Sequence, residues 1–153
     1  MKYAEETQVS VARSKAEIED LLIRYGATSF ATGWANNGAI IGFELEKRSI
    51  KFHLPLPDRA GFKERKDRYG YKRAVPAEKQ AQLYEQACRT AWRGLLLCIK
   101  AKLTSAASGI TTLEQEFFFF FVTPSGQTLG DILIPQLDRG LDENATQKLL
   151  GIN

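Results

Sequence analysis

Three short runs in which apolar and polar residues alternate follow one another between positions 28 and 54, and they constrain the fold more than any other feature of the chain. In residues 28–35 the alternation sets Thr28, Phe30, Thr32 and Trp34 on one side. Asn36-Asn37-Gly38 then reads as a hairpin turn, because Asn and Gly tolerate positive φ. Residues 39–46 alternate again through Ile41, Phe43 and Leu45, and Glu46-Lys47-Arg48 reads as a second turn. Residues 49–54 point Ile50, Phe52 and Leu54 inward and Lys51 and His53 outward. A side-chain period of two is that of a strand. Three antiparallel strands with one apolar face need a helix to cover that face.

The cover lies downstream. Pro55 and Pro57 end the sheet, and Pro76 suits the first turn of a helix. The spacing predicts a long helix over 77–107. Its buried face is Tyr84, Cys88, Ala91, Leu95 and Cys98, widened by Leu83, Trp92, Ile99 and Leu103. Its polar stripe is Gln82, Gln86, Arg89, Arg93 and Lys100. Ser108-Gly109 stops it. Upstream, Ser14 with Glu17 three residues on reads as a capping box, and Ile18, Leu21 and Leu22 give one apolar face before Gly26. Residues 1–13 read as an arm. Thr111 and Thr112, followed by Glu114 and Gln115, open another helix that runs into Phe117-Phe118-Phe119-Phe120-Phe121-Val122. Propensity favours a buried strand there and the cap signals a helix; we read a short helix. Pro124-Ser125-Gly126 is a turn, and Thr128 with Asp131 opens a last short helix through Leu137. Residues 138–153 read as a tail with a final apolar turn at Leu149, Leu150 and Ile152.

The expected fold class is therefore α+β: a three-stranded antiparallel meander packed on one long helix, with two or three shorter helices. A chain of 153 residues fits one domain, assigned to 14–137. The N-terminus is polar and no apolar run approaches the ~20 residues that span a bilayer, so neither a secretory signal nor a membrane span is expected. The 2 cysteines, Cys88 and Cys98, fall on the same helix. Ten helical residues rise about 15 Å, beyond disulfide reach. Reduced, buried thiols point to a cytoplasmic protein.

Charge is concentrated. Net charge is +3, yet Arg59, Lys63, Arg65, Lys66, Arg68, Lys72 and Arg73 face only Glu64 and Asp67, so this window carries +5 and the remainder −2. It lies in a stretch, 57–75, without periodicity, read as a long loop of the kind that is commonly functional. Arg and Lys attract phosphate oxygens. Phe62, Tyr69 and Tyr71 are interleaved, and aromatic rings stack on nucleobases. The loop therefore points to a phosphate-bearing ligand, nucleic acid or a small nucleotide. Arg89 and Arg93, one helical turn apart, and Lys51 with His53, the single histidine, would support it.

Catalytic signals are missing from the sequence. It contains no G-x-S-x-G, Walker loop, H-E-x-x-H or acidic triplet spaced for two metals. The expectation is a non-enzymatic binding protein with no cofactor and no metal. Two alternatives stay open: a protein–protein inhibitor or assembly factor docking its basic loop on an acidic protein surface, and a nuclease or hydrolase whose groups are dispersed. Five consecutive phenylalanines exceed what one strand face or one surface helix buries, so we expect core plus a homo-oligomer contact through residues 117–121, near Trp92.

Several segments carry a resemblance. Arg24-Tyr25-Gly26-Ala27-Thr28, Leu54-Pro55-Leu56-Pro57-Asp58-Arg59, Arg89-Thr90-Ala91-Trp92-Arg93, Ile99-Lys100-Ala101-Lys102-Leu103 and Gly109-Ile110-Thr111-Thr112 resemble a family of small bacteriophage-encoded proteins of no assigned activity, over residues 14–137. The resemblance implies an accessory protein acting in the host cytoplasm. Its ligand would then be nucleic acid, or a nucleotide signal of host defence that the protein sequesters.

Overall fold

The computed structural model describes residues 7–35 and 37–140. The meander is present. Strands β1 (Ser29–Ala35), β2 (Gly38–Leu45) and β3 (Arg48–Pro55) form an antiparallel sheet in the order β1-β2-β3. The register sets Phe30 opposite Phe43, Ile41 opposite Phe52 and Phe43 opposite Ile50. Ala39, Ile41, Phe43 and Leu45 are buried with Ile50, Phe52 and Leu54, so the alternation read from the sequence gives the apolar face. Between β2 and β3, Glu46 and Lys47 take φ of 50° and 62°, the two positive values of a primed hairpin turn whose twist matches the strands. Arg48 is already in β3, opposite Leu45. Gly38 is required by close approach: a Cβ there would stand 2.1 Å from the Leu54 carbonyl oxygen.

Two helices complete the core on this face. Helix α2 runs over Ala77–Ala107, with 31 residues, as the spacing predicts. Pro76 precedes it as the N-cap, since its ψ of 145° is extended. Its buried residues are Cys88, Trp92, Leu95, Leu96, Ile99 and Leu103. Cys98 is exposed, contrary to expectation. The stripe that meets the sheet runs through Leu95, Leu96, Ile99 and Leu103, and 100° per residue turns position 98 away from it.

Helix α1 (Val11–Arg24) also begins elsewhere than expected. Ser10 is its N-cap, accepting from the Arg13 amide at 3.1 Å, so residues 11–13 are helix and not arm. Val11 packs against the core, which favours the extra turn over the cap at Ser14. Ser14 is 0% exposed, and its Oγ has no hydrogen-bond partner among the described residues. A buried unpaired hydroxyl costs about 1–3 kcal/mol. Ser14→Ala is therefore expected to raise unfolding free energy by about 1 kcal/mol, removing that cost and gaining helix propensity. Urea denaturation tests this, and a loss of stability would mean that the hydroxyl has a partner.

The phenylalanine run is divided among three conformations. Helix α3 (Leu113–Phe117) starts with a capping box between Thr112 and Gln115 and ends at the first Phe. A 3₁₀ turn takes Phe118–Phe120. Phe121 then bridges to Ile50 at the free edge of β3, and Val122 to Thr128. Phe117 and Phe121 are buried, Phe120 stacks on Phe52 with centroids 4.1 Å apart, and Phe118 and Phe119 are 42% and 43% exposed. The rings meeting Phe117 are Phe43 and Phe52, while Trp92 carries the Lys15 ammonium over its face. Thr128 and Asp131 cap helix α4 (Leu129–Gly140) reciprocally, as expected. That helix outlasts Leu137, and residues 141–153, with Leu149, Leu150 and Ile152, lie outside the described residues. Among the described residues no helix is long and apolar enough to cross a membrane.

Candidate ligand-binding surface

The basic segment is ordered into elements of its own. Asp58 caps a 3₁₀ turn (Arg59–Phe62) by accepting from the Ala60 amide at 3.0 Å. This turn is fastened to α2, because Phe62 meets the Tyr84 ring edge-on and the Arg59 guanidinium lies 4.4 Å from its centroid. Strands β4 (Glu64–Lys66) and β5 (Lys72–Ala74) then form an antiparallel hairpin. Val75 extends the pairing by donating to the Lys63 carbonyl at 2.9 Å and buries its side chain at the hairpin's base. The structure thus replaces the expected loop over 57–75 with a hairpin. Its strands are three residues long and exposed on both faces, so no apolar alternation marks them in the sequence.

One carboxylate organises the tip. Asp67 Oδ1 accepts from the Tyr69 and Tyr71 amides at 2.9 and 3.0 Å, and Oδ2 accepts from Arg73 Nε at 3.1 Å. Its backbone amide donates to the Tyr71 carbonyl and its carbonyl accepts from Gly70, whose φ is +85°. Desolvation alone would raise the Asp67 carboxyl. The amides of Tyr71 and Tyr69 and the Arg73 side chain outweigh it and hold the group below the ordinary range.

The hairpin arrays positive charge against itself. Arg65 stands directly opposite Arg73, and Lys66 directly opposite Lys72. Arg73 is offset by Asp67 and Lys72 by Glu64 at 3.3 Å, and Arg68 lies 4.7 Å over the Tyr69 ring. Lys63, Arg65 and Lys66 have no acidic partner among the described residues. Tyr69 and Tyr71 are 69% and 67% exposed.

The supporting residues are distributed differently from the expectation. Arg93 donates to Glu17 Oε2 at 2.6 Å, and Arg13 holds the other oxygen at 3.1 Å. The Arg93 hydrogen bond is the main cause that keeps the Glu17 carboxyl low, against partial desolvation. Arg89 donates to Gln86 Oε1 at 2.6 Å, and Gln86 Nε2 reaches the Thr7 carbonyl at 3.0 Å. Gln86 and Arg93 of the polar stripe thus tie α2 to α1 and the segment ahead of it, and the Arg93 charge is neutralised there. Lys51 and His53 face another cavity, of about 530 Å³, with Phe119, Phe120 and Asp131, and none of its lining residues belongs to 57–75. Lys51 Nζ donates to the Gly126 carbonyl. The sequence reading had no role for Trp34 or Tyr84 in a site. Trp34 is 76% exposed beside the basic segment, and a large aromatic on an edge strand was the available signal.

Among the described residues no group of three or more His, Cys, Asp and Glu could hold a metal ion. Compared with protein-family models, curated proteins and solved structures, the chain matches none.

Proposed function

We propose that this chain binds nucleic acid through the β4–β5 hairpin, without regard to base sequence, as a non-catalytic accessory protein. The observation that carries the reading is the pairing of like charges across the hairpin, Arg65 with Arg73 and Lys66 with Lys72. Like charges directly opposite one another destabilise a strand pair, and a hairpin of two strands is at best marginal alone. A polyanion laid on this surface turns the repulsion into attraction. Charge on both faces suits a run of phosphates better than one phosphate in a pocket. The exposed rings of Tyr69 and Tyr71 offer stacking of about 1–3 kcal/mol per base. With the resemblance to phage-encoded proteins, the setting we propose is the host cytoplasm.

Fluorescence anisotropy with a labelled 20-nucleotide single strand, DNA and RNA, over a salt series tests this. Three to four phosphate contacts at ~0.7 each give an expected slope of log affinity on log salt of about −2 to −3. Undetectable binding at low salt, or an affinity indifferent to salt, would overturn it.

A further inference from the structure

Trp34 occupies a position that needs explaining. It lies on the side of β1 that faces the core, opposite Ala39, which is 2% exposed, yet its own ring is open to solvent. At this corner α1 and α2 bring Lys15 and Tyr84 near the ring but leave it uncovered. What lies beside it is a cleft of about 610 Å³ bounded by Trp34, Asn37, Leu56, Arg59 and Tyr84. The rim is fixed by the backbone, since the Leu56 amide donates to the Asn37 carbonyl at 3.1 Å. On one side the Lys15 ammonium stands 5.3 Å from the Trp34 centroid. On the other, the Arg59 guanidinium lies over Tyr84, 4.4 Å from the ring centroid. Asp58, the acid next in the chain, is occupied as the cap of the Ala60 amide.

We propose that this cleft seats an unpaired nucleobase against Trp34. The backbone on either side of that base would follow Arg59 and Lys63 onto the hairpin. The inference rests on the nucleic-acid reading above and narrows it: the ligand is single-stranded, because a base inside a duplex cannot enter the cleft. Indole offers a broad π-face that accepts any base. The cations at 15 and 59 flank the seat and suit the phosphates beside the base.

The protein reports on its own cleft. It has 2 tryptophans, Trp34 and Trp92, and Trp92 is 1% exposed, so a ligand that changes tryptophan emission acts on Trp34. The test titrates the full chain with a 20-nucleotide oligothymidylate and with an abasic strand of equal length and charge. Oligothymidylate is expected to quench the emission and bind about tenfold more tightly than the abasic strand. Trp34→Ala is expected to remove that preference, leaving abasic binding unchanged, and Trp34→Phe to keep most of it. Since Trp34 is 76% exposed, an unchanged melting temperature checks that the variants fold. Equal affinity for both strands with unaltered emission would overturn the cleft while leaving the hairpin reading intact. Failure to bind either strand would overturn both.

Discussion

Phe117→Ala is expected to lower the unfolding free energy by about 3–5 kcal/mol, the range for a large aromatic removed from a core that cannot close over the space. Phe119→Ala, two residues along the same run, is expected to cost less than about 1 kcal/mol. The difference follows from where each ring sits. Phe117 is 0% exposed and stands perpendicular to two other rings, Phe43 at 6.1 Å and Phe52 at 6.2 Å. Edge-to-face pairs of this kind add about 0.5–1.5 kcal/mol beyond the burial itself. The same ring lies 5.9 Å from the Lys102 ammonium, which hydrogen-bonds to the Glu116 carbonyl and so holds α3 against α2. Phe119, by contrast, keeps 43% of its surface in water. Urea denaturation of both variants decides the matter, with Phe117→Leu as a milder third should the alanine variant fail to fold. Equal losses at 117 and 119 would mean that the run is not divided between core and surface.

The same run shows where a single sequence stops being legible. The meander could be read because a period of two and turn-forming residues both mark it, and α2 because 31 residues hold one helical stripe. Five identical side chains carry no period at all, so helix, 3₁₀ turn and bridge were indistinguishable within them. The start of α1 failed for another reason. Ser14 with Glu17 satisfies the capping pattern, but Ser10 is the cap, and Glu17 is drawn to Arg93, 76 positions away. Pairing at that distance leaves no trace in local spacing. It also drew Arg93 to α1, while Lys51 reaches the Gly126 carbonyl and His53 faces a cavity lined in part by α4. What the charge count did locate was the hairpin's cation array. Asp67 followed by Gly70 was the turn signal within it, hidden by the surrounding basic residues.

A triple substitution of Lys63, Arg65 and Lys66 by alanine is expected to weaken single-strand binding about 100-fold at 0.1 M salt, and to flatten the salt dependence by about 2 in log–log slope. None of these three has an acidic partner among the described residues, so their removal breaks no ion pair, and the fold is expected to keep its melting temperature. Loss of affinity alone would not separate a shaped surface from diffuse positive charge. Asp67→Ala separates them, because it removes a negative charge and at the same time unties the hairpin tip. Were attraction diffuse, this variant would bind more tightly than the parent. If the hairpin must present its cations in register, it binds several-fold more weakly despite the added positive charge, and that is the expected result. The Asp67 carboxyl lies below its ordinary value in the folded chain, so its contribution is present above the unfolded value and is lost as pH falls through the lowered one. At neutral pH the tie is therefore intact, and anisotropy titrations of the parent and the two variants there measure the hairpin in its ordered form. Tighter binding by Asp67→Ala would leave the charge in place as the attractant but remove the hairpin's geometry from the account of how the ligand is held.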